Sequence, residues 1–172
     1  MSLRKNRAVT ESASSASATD RTTGRRLVHV QAADLDRWGC RPFETIEILD
    51  LQDRPTGHLE GIVIDRREDR PMYLVARHRG AAHQRSNWFL VPVGDAWFDE
   101  TARAVRIDVP ARQRIPFDPD EFERMTPQQA DEYERRVLAT CCPEIGFHRD
   151  GRPDYEPLRQ FTCPGWLRTS ID

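Results

Sequence analysis

Two groups of side chains in this chain are of types that could do chemistry. Cys141, Cys142, His148 and Cys163 supply thiols and an imidazole, the donors that zinc prefers in a tetrahedral shell. Their spacing fits no standard knuckle or finger. The first two are adjacent, so they project in different directions at a helix end, and no Cys-x-x-Cys occurs. The expectation is therefore buried or incidental thiols and no cofactor. A small metal- or thiol-dependent protein built on these four residues is the alternative. The second group is basic: Arg77, His78, Arg79, His83 and Arg85 fall within nine positions. Such a cluster could grip carboxylates or phosphates on a partner, and its competing reading is a solvated hairpin tip. It has no interleaved aromatic residue on which bases could stack, so nucleic acid is the weakest of its partners.

Other candidates dissolve on inspection. Asp65, Glu68 and Asp69 could suggest paired carboxylates, but Arg66, Arg67 and Arg70 are interspersed, and the segment reads as turn chemistry. No Ser/His/Asp arrangement, phosphate-binding glycine loop or Glu-flanked His pair is visible, so no catalytic residue is assigned. Of Trp38, Trp88, Trp97 and Trp166, one or two are expected in the core. Trp166, on a Pro/Gly-rich segment, is expected to anchor on another surface, this protein's own sheet first among them.

The elements that must position these residues are mostly strands. Strand-sized apolar runs cover Gly57 to Asp65, Pro71 to Arg77, Trp88 to Val93, Ala104 to Val109 and Arg114 to Phe117. Gly, Pro, Asp and Arg turns separate them. Leu27 to Val30 and Thr45 to Leu49 add two short candidates. Residues 59–64 are nearly all apolar, which predicts a strand buried on both faces, with Gly61 allowing a bulge or close approach. Val105, Ile107 and Val109 alternate with Arg106 and Asp108, as in a half-buried strand. The basic cluster lies between the second and third main strands. After residue 119 the period changes. Thr126 is an N-cap, Pro127 stands at the first helical position and Gln129 completes a capping box. A helix over 126–140, within a helical segment assigned to 121–142, should follow, packing Ala130, Tyr133 and Val137 on the sheet. Residues 143–172 read as a Pro/Gly-rich arm, and residues 1–24, with their Ser/Ala/Thr tract, as a disordered tail.

Composition sets the outer bounds. The 172 residues are 38% hydrophobic and 31% charged, which suits one core with solvated extensions. A net charge of -2 gives no global attraction to nucleic acid or anionic membrane. Lys5 is the only lysine, and its arginine companions are dispersed, as codon bias from a GC-rich genome would leave them. No run of about 18 apolar residues predicts a membrane span, no secretory leader is recognisable, and four cysteines suit a reducing cytoplasm.

The strand pattern resembles the PRC-barrel domain family. The run from Gly57 to Asp65 resembles its opening hairpin strand, glycine-flanked and ending in aspartate. Tyr73 to Ala76 is similar to the next strand. Phe89 to Val93 is similar to the strand ending in a buried proline, and Val105 to Val109 with Ile115 to Phe117 resembles the exit into an acidic helical segment. The resemblance spans about residues 42–120. That family includes the cytoplasmic domain of the photosynthetic reaction-centre H subunit, the C-terminal domain of a ribosome maturation factor and many stand-alone bacterial and archaeal proteins. It implies a mainly β fold, a small antiparallel barrel with a C-terminal helix and an extended arm. It also implies a non-catalytic adaptor binding a larger protein assembly, a membrane electron-transfer complex being one such assembly and peripheral membrane association one such setting. The membrane helix of the H subunit and the N-terminal barrel of the ribosome factor have no counterpart here, so neither specific role carries over. Arg77, His78, Arg79, His83, Arg85 and Trp166 are the expected partner-binding residues.

Overall fold

The computed structural model describes residues 24–40, 42–79 and 87–168. All but Gly24 of the expected tail at 1–24, and His83 and Arg85 of the basic cluster, lie outside them. The fold is mainly β and is organised around one long strand, β3 (Pro55–Asp65). Along one edge β3 pairs antiparallel with β2 (Ile46–Leu49) through its first half and with β1 (Leu27–Gln31) through its second. Its other edge carries β4 (Arg70–His78), followed by β5 (Trp88–Pro92) and β8 (Ile115–Phe117), all antiparallel. On the far side β2 meets β7 (Ala104–Ile107), which pairs with β6 (Ala96–Asp99).

Two features depart from the expected antiparallel barrel. The β2–β7 pair is parallel, with Ile48 opposite Val105. Among the described residues no pairing joins β6 to β8, the two ends of the sheet, so the sheet is open. The β6 strand was not legible because its four residues sit between Asp95 and Glu100 without apolar alternation.

Gly61 shapes the centre. The register passes from Leu59 opposite Ala76 to Gly61 opposite Val75, which leaves Glu60 as the extra residue of a bulge. That extra residue flips the side-chain parity, so Leu59, Ile62 and Ile64 reach the same hydrophobic cluster. A side chain at Gly61 would put its Cβ 2.6 Å from the Val30 carbonyl oxygen, so the close approach of β1 demands glycine.

One cluster draws on every strand from β1 to β7, with Leu35, Cys40 and Leu167 added. A single sheet whose one face supplies nearly a whole cluster must curl around it. The opposite face of β4 and β5, with β8, is covered by α1 (Pro119–Arg124), α2 (Pro127–Cys141) and the arm residues Tyr155 and Phe161. The central strands are therefore buried on both sides, which accounts for their unbroken apolar runs. None of the four tryptophans is fully buried. The bulky fillers are Tyr73, Phe89, Phe122 and Phe161, and Trp97 is 42% exposed.

Local sequence fixes the helices. The Thr126 hydroxyl accepts from Gln129 N at 3.3 Å, and Gln129 Oε1 accepts from Thr126 N at 2.8 Å, closing the capping box. Asp118 caps α1 by accepting from Glu121 N at 3.0 Å. Arg25 ties the end of α1 to the start of β1 by donating to the Phe122 and Glu123 carbonyls at 2.7 and 3.1 Å. The arm docks on the sheet at Tyr155, Phe161 and Leu167, all buried. It crosses the turn at Gly94 so closely that a Cβ there would stand 2.0 Å from the Arg159 carbonyl oxygen.

Candidate functional site

The basic cluster begins at the end of β4, where its described members are engaged with the sheet. Arg77 donates to Glu60 across the β3–β4 pair and lies 6.0 Å from the Trp88 ring centroid. Arg79 donates to Glu47 of β2 at 3.1 Å. His78 stacks on Phe89 with ring centroids 4.4 Å apart, and burial, then the nearby Arg114, lowers its pKa. Arg77 and Arg79 are about half exposed, so their pairs are screened contacts that a partner carboxylate could exchange for its own.

Trp166 docks on this protein's own sheet, its ring centroid 6.1 Å from that of Phe98. With Phe43, Ile46 and Phe98 it is partly buried against the inner cluster, at the place where that cluster opens to solvent. These four side chains form the apolar floor of a groove of about 700 Å³. Glu44, Glu47 and Glu100 rim it, against Arg103 as the one cation among its described lining residues. The buried Trp166 Nε1 donor has no acceptor among the described residues. Glu47 also binds Arg79, so the groove and the end of β4 form one continuous surface. Phe98 was missed in the sequence because β6, which carries it, has no alternation to announce it, and Phe43 and Ile46 because their meeting with Trp166 joins distant segments.

No known protein family and no curated protein matches this chain. Its own geometry therefore carries the functional argument.

The proposed metal ligands are not gathered. Cys141 and Cys142 belong to the cluster under α2, whereas Cys163 packs against the inner cluster on the other face of the sheet. His148 is half-exposed and stands 3.8 Å from Asp154. Among the described residues no three His, Cys, Asp or Glu side chains are placed to hold a metal ion. The adjacent thiols perturb each other, Cys142 pushing Cys141 up and Cys141 drawing Cys142 down. Burial, with Cys163 nearby, pushes the Cys40 thiol up to about 11.

The most concentrated buried charge was also missed. Arg26 donates to Asp65 and pairs with Glu134, which accepts from the Tyr155 hydroxyl. The three charged side chains are 9%, 1% and 2% exposed. Burial opposes the Arg26 charge, but the Asp65 carboxylate that accepts its hydrogen bond helps to outweigh it and hold the guanidinium above its ordinary value. Burial raises Tyr155, which stays a protonated donor. Asp65 also accepts from Arg67 N at 2.9 Å and Glu68 N at 3.4 Å, the turn chemistry expected of it. With these partners the network is internally satisfied. It locks β1, β3, α2 and the arm together.

Proposed function

We propose that this protein is a non-catalytic interaction module of the PRC-barrel type, an adaptor that docks on a larger protein assembly through the Trp166 groove. The observation that carries the reading is the composition of that groove, in which four partly buried apolar side chains sit inside a rim that holds, among the described residues, three glutamates and one arginine. Interfaces combine an apolar centre with a polar rim, and charge complementarity selects the partner. The occupant this surface fits is a segment of a partner protein that inserts an apolar side chain and flanks it with basic residues. The end of β4 extends the contact, because Arg79 can release Glu47 to a basic partner residue and take a carboxylate in exchange. Among the described residues no helix is long and apolar enough to cross a membrane, so attachment to a membrane-bound assembly through the groove would be peripheral.

The test reverses the rim charge and leaves the floor intact. Glu44→Arg with Glu100→Arg alters two exposed positions, and Glu132→Arg on exposed α2 surface serves as the control. In quantitative crosslinking from native lysate, the reading expects a stoichiometric protein partner that the control retains and the rim variant loses. Capture that is equal in all three proteins would remove the groove from the interaction and the reading with it.

A further inference from the structure

On the other face of the sheet, His29 occupies an unusual position. Alternation along β1 sends Val28 and Val30 to the inner cluster and turns His29 the opposite way. Its ring packs edge-on against Phe117, with centroids 5.6 Å apart, and lies over Gly61, where a Cβ would come within 2.9 Å of Nε2. The side chain is only 5% exposed, yet neither ring nitrogen has a hydrogen-bond partner among the described residues. Buried imidazole nitrogens are ordinarily satisfied, so the orphan Nδ1 beside Glu123 calls for a missing partner. Glu123 Oε1 stands 3.8 Å from Nδ1, too far to be that partner.

His29 forms one wall of a cleft of about 500 Å³ between β1, β3, β5 and α1. Glu60, Asp118, Asp120 and Glu123 face into it, against Arg124 as the lining cation. Glu60 is already held by Arg77, and Asp118 caps α1. Neither Asp120 nor Glu123 has a hydrogen-bonded cation among the described residues. Burial lowers the His29 pKa to about 4, so near neutral pH the ring is uncharged and one nitrogen is an acceptor.

We propose that His29 and Glu123 are the two acceptors of a binding site for an organic cation bearing N–H donors, a guanidinium or primary ammonium head group. A donor nitrogen placed about 2.9 Å from both acceptors fits their 3.8 Å separation. The same chemistry already operates at the cleft wall, where the Arg77 guanidinium pairs with Glu60 beside the Trp88 ring. The remaining carboxylates supply the field that concentrates a cation there. The inference rests on this cleft alone and stands or falls separately from the groove.

The experiment follows the His29 ring by NMR in the full chain carrying isotope-labelled histidine, during titration with butylguanidinium. The expected result is a saturable shift of the His29 signals that is weakened at least about tenfold in Glu123→Gln. Glu123 is 65% exposed, so that variant should fold normally. Tetramethylammonium, which has the charge but no N–H donor, should leave the ring signals unmoved. A matching response to tetramethylammonium or sodium would mean general screening of an acidic face and would overturn the proposal. So would an absence of saturable shift, which would leave the nitrogens to ordered water. A capped Gly-Arg-Gly peptide separates the sources of the cation. Tighter binding of the peptide than of butylguanidinium assigns the head group to a polypeptide side chain, and weaker binding assigns it to a free small molecule. Either order sustains the site.

Discussion

Replacing Arg26 with alanine should be the most damaging single change to this fold outside its apolar clusters. The substitution would leave Asp65 and Glu134, 1% and 2% exposed, without their shared cation. Removing one partner of a buried ion pair costs about 3–5 kcal/mol, because the charge left behind is neither solvated nor paired. Here two carboxylates are stranded. Partial relief comes from the two backbone donors on Asp65 and the Tyr155 hydroxyl on Glu134, which keeps the expected loss within that range. Glu134→Gln should cost only about 1–2 kcal/mol, since Arg26 keeps Asp65 and the amide oxygen still accepts from Tyr155. Because the effects share one network they should not add. In the Arg26→Ala background the Glu134→Gln change removes a stranded charge, so the double variant should be more stable than Arg26→Ala alone. Urea unfolding followed by tryptophan fluorescence gives all three midpoints. A loss below about 1 kcal/mol for Arg26→Ala, or further destabilisation in the double variant, would refute the reasoning.

Two other outcomes follow from particular contacts. Burial holds His29 at about 4 in the folded chain against 6.5 as its ordinary value, so its contribution is fully present above pH 6.5 and is lost as pH falls towards 4. At about 1.4 kcal/mol per pH unit that gap is worth up to about 3 kcal/mol. His29→Phe should therefore lose less stability than wild type between pH 7.5 and 4.5, and equal pH slopes in urea melts would contradict this. Gly94→Ala should force the arm off the turn it crosses, because the added carbon meets the Arg159 carbonyl oxygen at 2.0 Å and a backbone cannot swing aside. A cost of about 1–3 kcal/mol is expected, with faster amide exchange around Phe161, and wild-type protection there would be the contrary result.

The parts of this chain that were legible in its sequence are those whose signal is local. The long buried β3, the Gly61 bulge, the alternation at Val105 and Ile107 and the Thr126 capping box each announce themselves within a few residues, because burial on two faces, strand parity and end-capping leave marks at fixed short spacing. The site residues depend on contacts between distant segments. Trp166 and Phe98 meet only because the arm returns across the open end of the sheet, and His29 gains its cleft only when α1 folds back over β1. The parallel β2–β7 pair is likewise a long-range contact that no local period encodes. One long-range feature did leave a trace. Glu134 falls on the stripe of α2 that carries Ala130, Val137 and Leu138, and a carboxylate on an apolar stripe needs a buried cation opposite. That cation is Arg26, supplied by a segment more than a hundred positions away, which the period of the helix could demand but could not name.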